Sequence, residues 1–293
     1  SEASFWAQRC GRPLVGAADV EHAIDQREYR SNLLEERIRE LIDDGTLVID
    51  TRGKRVGALN GLAVLSLGDH AFGRPTRVSA RVAIGRGSIA SIEREIELSG
   101  PIHSKGFLIL SGYLSATYAQ DAPLALWATV TFKQSYDEIE GVSSSAAELV
   151  ALLSALAELP LDQGIAMTGS VDQHGHVQAV GGVNHKIEGF YATCKARGLT
   201  GSQGVILPAS NVPNLMLETD VVKAVRRGRF HIWAIRTVDE ALALLTGTRP
   251  GRRHKDGSFT PDTVHGRVQT RLAAYGERMR AERAGEGTPD EPA

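Results

Sequence analysis

The sequence predicts an α/β or α+β sandwich, and three patterns lead to that prediction. Apolar residues alternate with polar ones over residues 47–68 and 77–98, which indicates β-strands. From residue 124 onward, short apolar runs alternate with longer helix-like segments. Apolar residues at three-to-four spacing over residues 28–44 indicate an amphipathic helix that needs a packing partner. Such a mixture is typical of a sheet covered by helices.

Each element has a local signal in the sequence. Turn residues at 50–53 and 85–87 divide the two alternating segments, so four strands in two hairpins are expected. An Ala/Leu-rich helix follows the serines at 143–145 and is stopped by Pro160. The other predicted elements are helices at 106–119, 183–196, 220–226 and 238–245, strands at 124–132, 204–208 and 231–235, and a hairpin centred on 173–176.

Composition excludes several classes of protein. With 42% hydrophobic and 23% charged residues in 293, the chain is expected to be an ordinary soluble globular protein. A net charge of -2 and 5% aromatic residues argue against nucleic acid as the primary ligand. Cys10 and Cys194 lie far apart and outside any zinc spacing, which favours a reducing cytoplasm. The sequence has neither a membrane-spanning run nor a leader pattern, so no membrane partner is expected.

Motifs for cofactors and metals are missing from the sequence. It contains no GxxxxGK[ST], GxGxxG, HExxH or EF-hand loop, so this chain is not expected to bind a nucleotide or a dinucleotide. His174 and His176, with His185 nearby, could contribute to a metal site. Zinc needs three or four converging ligands, so solvated turn histidines are the preferred interpretation, and no metal is expected.

A serine cluster and a lysine are the candidates for chemistry. Ser143, Ser144 and Ser145 precede a helix, whose free N–H groups can stabilise negative charge on an attacked substrate. The same position suits a simple helix cap, and the cluster alone does not decide between the two. Lys186 follows Gly181-Gly182 by one helical turn. A buried lysine could act as a base for a nearby serine, whereas an exposed one would be an ordinary surface residue of the helix.

The segment over residues 140–208 closely resembles the proteolytic domain of the Lon ATP-dependent proteases, and most closely the B-type branch. Its sequence begins EGVSSSAAELVALLSALAELP and continues through MTG and GGVNHK to GVILP. The resemblance extends upstream through IDTRGKRVGALNGLAVLSLGD and IHSKGFLILSGYL, and downstream to about residue 247. It covers roughly two thirds of the chain, which makes it specific.

The resemblance assigns roles to individual residues. Ser143, in the family's G-x-S-[AS]-[GS] motif, would be the nucleophile of a serine endopeptidase, and Lys186, which ends GGVNHK, its general base. Thr168 would support the lysine amine, and Glu140 matches an acidic position of many members. Val142 departs from the family, because B-type members usually carry Asp and A-type members Pro at this position. Backbone N–H groups at the helix start would hold the oxyanion that precedes an acyl-enzyme.

The same resemblance implies a domain organisation. Residues 1–26 resemble the end of an AAA+ lid, residues 27–247 would form a Lon-type domain of the ribosomal-S5-domain-2-like fold, and residues 248–293 would be a linker, a helix and a disordered tail. Such domains usually form hexamers beneath an upstream AAA+ ATPase that uses ATP-Mg and delivers unfolded or damaged proteins. Two alternatives remain open: a non-catalytic assembly module with this fold, and a stand-alone peptidase that is independent of ATP.

Overall fold

The computed structural model describes residues 1–68, 70–135 and 139–285. A helical start is followed by a central sheet with helices on both of its faces. Among the described residues, no helix combines the length and the apolar character needed to cross a bilayer. The elements in chain order are α1 (Glu2–Arg9), α2 (Ala17–Ser31), α3 (Leu33–Asp43), β1 (Lys54–Val56), β2 (Ala58–Leu67), β3 (His70–Ile84), β4 (Ser88–Ser91), α4 (Ile92–Glu95), α5 (Pro101–Tyr118), β5 (Leu126–Phe132), α6 (Ser145–Ala157), β6 (Pro160–Asp162), β7 (Ile165–Met167), β8 (Ser170–Val171), β9 (Val177–Gln178), α7 (Val183–Ala196), β10 (Gly204–Pro208), a 3₁₀ helix (Ala209–Asn214), α8 (Thr219–Arg226), β11 (His231–Ile235), α9 (Val238–Thr246) and α10 (Val264–Gly285).

The largest sheet in the described part of the chain has the strand order β11-β10-β7-β2-β3-β5-β4. β3 runs antiparallel to both of its neighbours, β2 and β5. The remaining pairs in this sheet are parallel. Two short antiparallel ladders join β1 to β6 and β8 to β9. A mixed sheet between helices confirms the predicted α/β class.

The N-terminal helix predicted over residues 28–44 is interrupted at Asn32, so that prediction is wrong in its extent. Asn32 lies between α2 and α3. Its backbone N–H donates to the Glu28 carbonyl and its side-chain amide donates to Glu36 Oε1. The N–H bond to Glu28 continues the helical pattern, but the Asn32 backbone angles, φ −88° and ψ 5°, depart from helical values, and the two helices separate at this residue.

The hairpin predicted around residues 50–53 is also wrong. Residues 47–49 form no strand, and β1 pairs instead with β6, so that Lys54 lies opposite Asp162. The Asp50 carboxylate accepts hydrogen bonds from Arg55 and from Arg77 of β3. These ion pairs hold Asp50 at the end of the sheet. The backbone of residues 47–50 pairs with no neighbouring strand.

The turn at residues 85–87 does not produce a hairpin either. β3 ends at Ile84, the chain passes around the end of β5, and the Gly87 N–H donates to the Leu126 carbonyl. β4 then pairs in parallel with β5, which separates it from β3. Residues after β4 form the short helix α4, not the end of a strand, because Glu93 turns inward and accepts a hydrogen bond from the Phe132 N–H. Turn signals are local, whereas strand pairing is decided by distant residues.

Downstream of residue 100, the sequence predicts the elements more closely. α7, β10 and β11 have the predicted bounds, and the β8–β9 ladder confirms the hairpin centred on 173–176. α5 begins at Pro101, earlier than predicted. Proline suits the first helical position because its fixed backbone angle is already helical and no N–H is needed there.

Two apolar clusters cover the two faces of the sheet. Every residue of α6 is buried, because α6 packs on β3 and β2 with α5, α9 and α10 around it. Ile206 belongs to this cluster, whereas its neighbours Val205 and Leu207 belong to the second one, with Phe190 of α7. Side chains that alternate across a strand thus join α6 and α7 to opposite faces of the sheet.

The C-terminal part contains the predicted helix as α10, which packs against α6. Of the last ten residues, predicted to be disordered, 286–293 lie outside the described residues. The division at residues 26 and 247 stays a prediction; α2 continues through residue 26 to Ser31.

Candidate active site

The serine cluster lies at the start of α6, as predicted, and its three hydroxyl groups have different partners. Ser145 is the first residue of the helix; its hydroxyl donates to the Val142 carbonyl and accepts from the Val171 N–H. Ser144 precedes the helix, and its hydroxyl donates to Glu148 Oε1. The half-buried Ser143 hydroxyl faces Lys186. Ser144 and Ser145 therefore have structural partners, and Ser143 has a candidate base.

Lys186 lies in the first turn of α7 and is 3% exposed. Its Nζ is 3.0 Å from Ser143 Oγ and 3.1 Å from Thr168 Oγ1. Gly182 caps the start of α7 with a φ of 68°, in the left-handed region that favours glycine. Gly182 thus allows the turn that directs Lys186 toward Ser143.

Burial determines the protonation of Lys186. Desolvation lowers the pKa of its ammonium group to about 8, because burial removes water from the charged form. No carboxylate of the described residues forms an ion pair with this amine. A substantial fraction of Lys186 is therefore neutral at mildly alkaline pH and has a free lone pair.

Thr168, directly after β7, contacts both members of the pair. Its hydroxyl lies 3.3 Å from the Ser143 carbonyl, to which it donates, and its oxygen accepts from Lys186 Nζ. The Ser143 carbonyl also accepts from the Gly169 N–H at 2.9 Å. Because the Thr168 proton is already donated, Thr168 must accept from the amine, which leaves the amine lone pair available to Ser143.

The donors available to an oxyanion lie before the helix rather than in its first turn. The N–H groups of Ser145 and Ala146 already donate to the carbonyls of Val142 and Gly169. Within the described residues, no acceptor takes the N–H of Ser143 or Ser144. Of the backbone N–H groups predicted to hold an oxyanion, only those of Ser143 and Ser144 are therefore available in the described part of the chain.

Val142, the departure from the Lon motif, packs against α5. Its Cγ1 lies 3.1 Å from the position that a Cβ on Gly106 would occupy. The apolar contact holds the turn before Ser143, and the hydroxyl still lies within hydrogen-bonding distance of the Lys186 amine. Valine at this position is compatible with the paired geometry.

The other predicted residues lie away from the pair. Glu140 is exposed, and its carboxylate accepts from the Ile102 N–H at the start of α5, 3.2 Å away. His174 and His176 lie at the tip of the β8–β9 hairpin, where the backbone N–H of each donates to the Asp172 carboxylate. His185 Nδ1 is 3.8 Å from a carboxylate oxygen of Glu188. Over residues 1–68, 70–135 and 139–285, no three His, Cys, Asp or Glu side chains form a group that could hold a metal.

Close backbone contact between β3 and α7 fixes the position of Lys186. A Cβ on Gly73 would lie 1.9 Å from the His185 carbonyl oxygen and 2.8 Å from Lys186 Cα. A Cβ on Gly189, one turn further, would lie 2.0 Å from the Gly73 carbonyl oxygen. Two glycines therefore allow the helix to lie directly on the strand.

Gly73→Ala is expected to lower the free energy of unfolding by about 1–3 kcal/mol, because the added methyl group forces α7 away from β3. Urea unfolding measures this change. Gly181→Ala is the matched control, since a Cβ at Gly181 meets no atom within 4 Å. It should change the free energy of unfolding by less than about 0.5 kcal/mol. Equal urea midpoints of unfolding for the two variants would contradict the close contact between β3 and α7.

A further group near the serines has no signal in the motif. Glu148 of α6 and His103 of α5 are both 1% exposed, and His103 Nε2 lies 3.3 Å from Glu148 Oε1. Glu148 is the one charged residue in the α6 sequence, SAAELVALLSALA, which could have indicated a special role. Its partner on α5 could not be inferred from spacing.

Comparison with known proteins identifies two parts of the chain. Residues 138–247 match the family model of the Lon protease (S16) C-terminal proteolytic domain. Residues 1–30 match the model of the archaeal LonB AAA+ ATPase LID domain.

Full-length relatives give the same result. A Lon protease homolog of Escherichia coli (strain K12) is 46% identical over 241 residues, which is 82% of this chain and 41% of that protein. A Lon protease homolog of Haemophilus influenzae is 39% identical over 271 residues, 92% of this chain and 45% of that protein. An archaeal Lon protease of Methanocaldococcus jannaschii is 31% identical over 201 residues, 65% of this chain and 28% of that protein. The chain thus spans less than half the length of these relatives, and it contains a proteolytic domain of the Lon protease (S16) family.

Proposed function

We propose that this chain is the serine endopeptidase part of a Lon-type protease and that Ser143 and Lys186 form its catalytic dyad. The observation that supports this most strongly is the buried Lys186 amine, 3.0 Å from the Ser143 hydroxyl. Burial lowers the pKa of that amine to about 8, so it can accept a proton. The match to a Lon proteolytic domain supports the same reaction class.

In the acylation step, neutral Lys186 takes the proton of the Ser143 hydroxyl while Oγ attacks the carbonyl carbon of a peptide bond. The resulting oxyanion accepts hydrogen bonds from the N–H groups of Ser143 and Ser144. Collapse of this intermediate breaks the C–N bond, and the Lys186 ammonium protonates the departing amine. An acyl ester on Ser143 remains.

In the deacylation step, Lys186 is neutral again and takes a proton from water as that water attacks the ester. The C–O bond to Ser143 breaks, and Oγ recovers the proton from Lys186. Thr168 accepts one N–H of the amine throughout and keeps its lone pair directed at Ser143. One lysine therefore serves both half-reactions, as in other Ser-Lys hydrolases. Glu140 acts at most indirectly, through the start of α5.

We further propose the setting of the whole protein. The match of residues 1–30 to a LID domain supports an upstream AAA+ ATPase, which would hold ATP-Mg outside this chain. The greater length of the relatives supports the same arrangement. The substrates would be unfolded or damaged proteins, the assembly a homo-hexamer with the ribosomal-S5-domain-2-like fold, and the location the cytoplasm.

A covalent probe tests the dyad. The chain should hydrolyse an unfolded reporter peptide and react with a fluorophosphonate, and mass spectrometry of the digested adduct should place the label on Ser143. Ser143→Ala should remove both hydrolysis and label, whereas Ser202→Ala, at an exposed serine, should keep both.

Three results would contradict the proposal in different ways. A label on Ser144 or Ser145 would show that Ser143 is not the nucleophile. A folded chain that neither hydrolyses the peptide nor reacts with the probe would favour the non-catalytic assembly module. Hydrolysis by this chain together with an upstream segment that does not bind ATP would favour the stand-alone peptidase.

A further inference from the structure

Two buried side chains, Glu148 and His103, form a polar network with Ser144, one helical turn before Glu148, and the proposed mechanism gives neither of them a role. Glu148 faces α5 from the otherwise uncharged helix α6, and its side chain is 1% exposed. Its Oε1 accepts a hydrogen bond from the Ser144 hydroxyl at 2.7 Å and faces His103 Nε2 at 3.3 Å. Its Oε2 has no hydrogen-bond partner within the described residues. A buried carboxylate is costly, so its retention here calls for a function.

His103 keeps this carboxylate in place from the neighbouring helix. Its Nδ1 lies 2.7 Å from the Ser99 hydroxyl, and its Nε2 points to Glu148. Burial by itself lowers the pKa of His103, but the hydrogen bond to Glu148 and the charges of Glu148, Glu93 and Glu140 outweigh it and raise that pKa. In the Nε2–H tautomer and in the imidazolium alike, Nε2 donates to Glu148.

Glu148 holds Ser144 at two points. The Ser144 hydroxyl donates to the Glu148 carboxylate, and the Ser144 carbonyl accepts from the Glu148 N–H at 2.9 Å. On the other side, the Ser143 carbonyl is held by Gly169 and Thr168. The peptide unit between Ser143 and Ser144 is thus fixed at both ends. That unit carries the Ser144 N–H, one of the two donors left for an oxyanion.

We propose that Glu148, supported by His103, is a positioning residue for the nucleophile: through Ser144 it orients the Ser143 hydroxyl and the Ser144 N–H for attack. This inference rests on the proposed function. A positioning role affects the chemical step and leaves peptide binding unchanged, so it should act on kcat and not on KM. A merely structural role would act on stability alone.

Glu148→Met tests the inference in the full chain, because methionine fills the same volume but cannot accept from Ser144. The expected result is a loss of about 10-fold to 100-fold in kcat, with KM within about twofold. Its melting temperature should be below that of the unaltered chain, because His103 and the Ser144 hydroxyl lose a buried hydrogen-bond partner. Glu148→Gln keeps one acceptor for Ser144 and should restore part of kcat.

Three further variants complete the experiment. Ser144→Ala should lower kcat as much as Glu148→Met, and the double variant should be no slower than either, because both remove the same hydrogen bond. Asp19→Leu is the matched control: Asp19 is a buried carboxylate outside this network, 3% exposed, and accepts from Arg12 and from the Gly16 N–H at the start of α2. It should lower the melting temperature and leave kcat within about twofold.

The outcomes separate this inference from the proposed function. If the unaltered chain hydrolyses peptide and Ser143 takes the fluorophosphonate, but Glu148→Met and Ser144→Ala keep full kcat, the inference is wrong and the dyad stands. A change in KM alone, or an unfolded Glu148→Met beside a fully active Ser144→Ala, also overturns it. If the unaltered chain neither hydrolyses peptide nor takes the probe, both proposals fail.

Discussion

Lys186→Arg is expected to lower kcat/KM for an unfolded peptide by at least about 10³-fold, as much as Lys186→Ala. Arginine keeps the positive charge and much of the length of lysine, but its guanidinium is not deprotonated in proteins, so it cannot take the Ser143 proton. Charge alone, or simple packing at this position, would predict that arginine preserves activity. The two replacements together therefore test proton transfer by the amine.

The matched control for this variant lies on the same helix. Lys195 is exposed and pairs with Asp220 at 2.8 Å, so Lys195→Arg should keep kcat/KM unchanged. Hydrolysis of a reporter peptide at several pH values gives the measurement for all four chains. Substantial activity in Lys186→Arg, or activity that EDTA removes, would require another base or a metal.

The pH profile of the unaltered chain should follow the same amine. The base is the neutral form, and burial lowers its pKa to about 8, so kcat/KM should rise with pH through a midpoint near that value. Below the midpoint, Lys186 holds its proton and cannot accept one from Ser143. A profile that is flat from pH 6 to pH 10, or that falls over this range, would contradict a lysine base.

Local signals and the family resemblance singled out Ser143 and Lys186 as the candidate pair, while the surroundings of that pair depend on tertiary packing. Ser143 and Lys186 stand beside a helix start and a glycine pair, and the family resemblance joined them. Their meeting requires β7 to carry Thr168 between α6 and α7, and no spacing rule gives that arrangement. The contact between Gly73 and α7 is equally invisible, because a glycine in a strand segment does not tell which helix will approach it.

The two wrong hairpins have the same cause. The chain does bend at residues 51–53 and 86–87, but no strand of the described residues precedes the first bend, and β1 pairs with β6. After the second bend, β4 pairs with β5 rather than with β3. The neighbour with which a strand pairs depends on contacts of buried side chains that are distant in sequence, such as Arg77 with Asp50 and Glu93 with Phe132. Glu148 illustrates the opposite case: a charge within an apolar helix is visible in the sequence, yet its partner His103 is 45 residues away.

Lys186→Met is expected to be more stable than the unaltered chain at neutral pH, by up to about 3 kcal/mol. The pKa of Lys186 falls from 10.5 to about 8 on folding, so folding has to overcome the preference of the amine for its charged, hydrated form. Each pKa unit corresponds to about 1.4 kcal/mol, and methionine has no proton to bind. The variant should therefore gain stability while it loses activity.

The difference between the two chains should depend on pH in a defined direction. Between pH 8 and 10.5 the unfolded chain binds the Lys186 proton more readily than the folded chain, so the stability of the unaltered chain rises with pH relative to Lys186→Met. The advantage of the variant should be full below about pH 8 and disappear near pH 10.5. Urea unfolding at pH 6, 7, 8, 9 and 10 measures it, with Lys195→Met, at an exposed lysine, as the control that should show no such gain. If Lys186→Met is no more stable than the unaltered chain at pH 6, the lysine is not destabilised by burial, and the source of its reactivity must lie elsewhere.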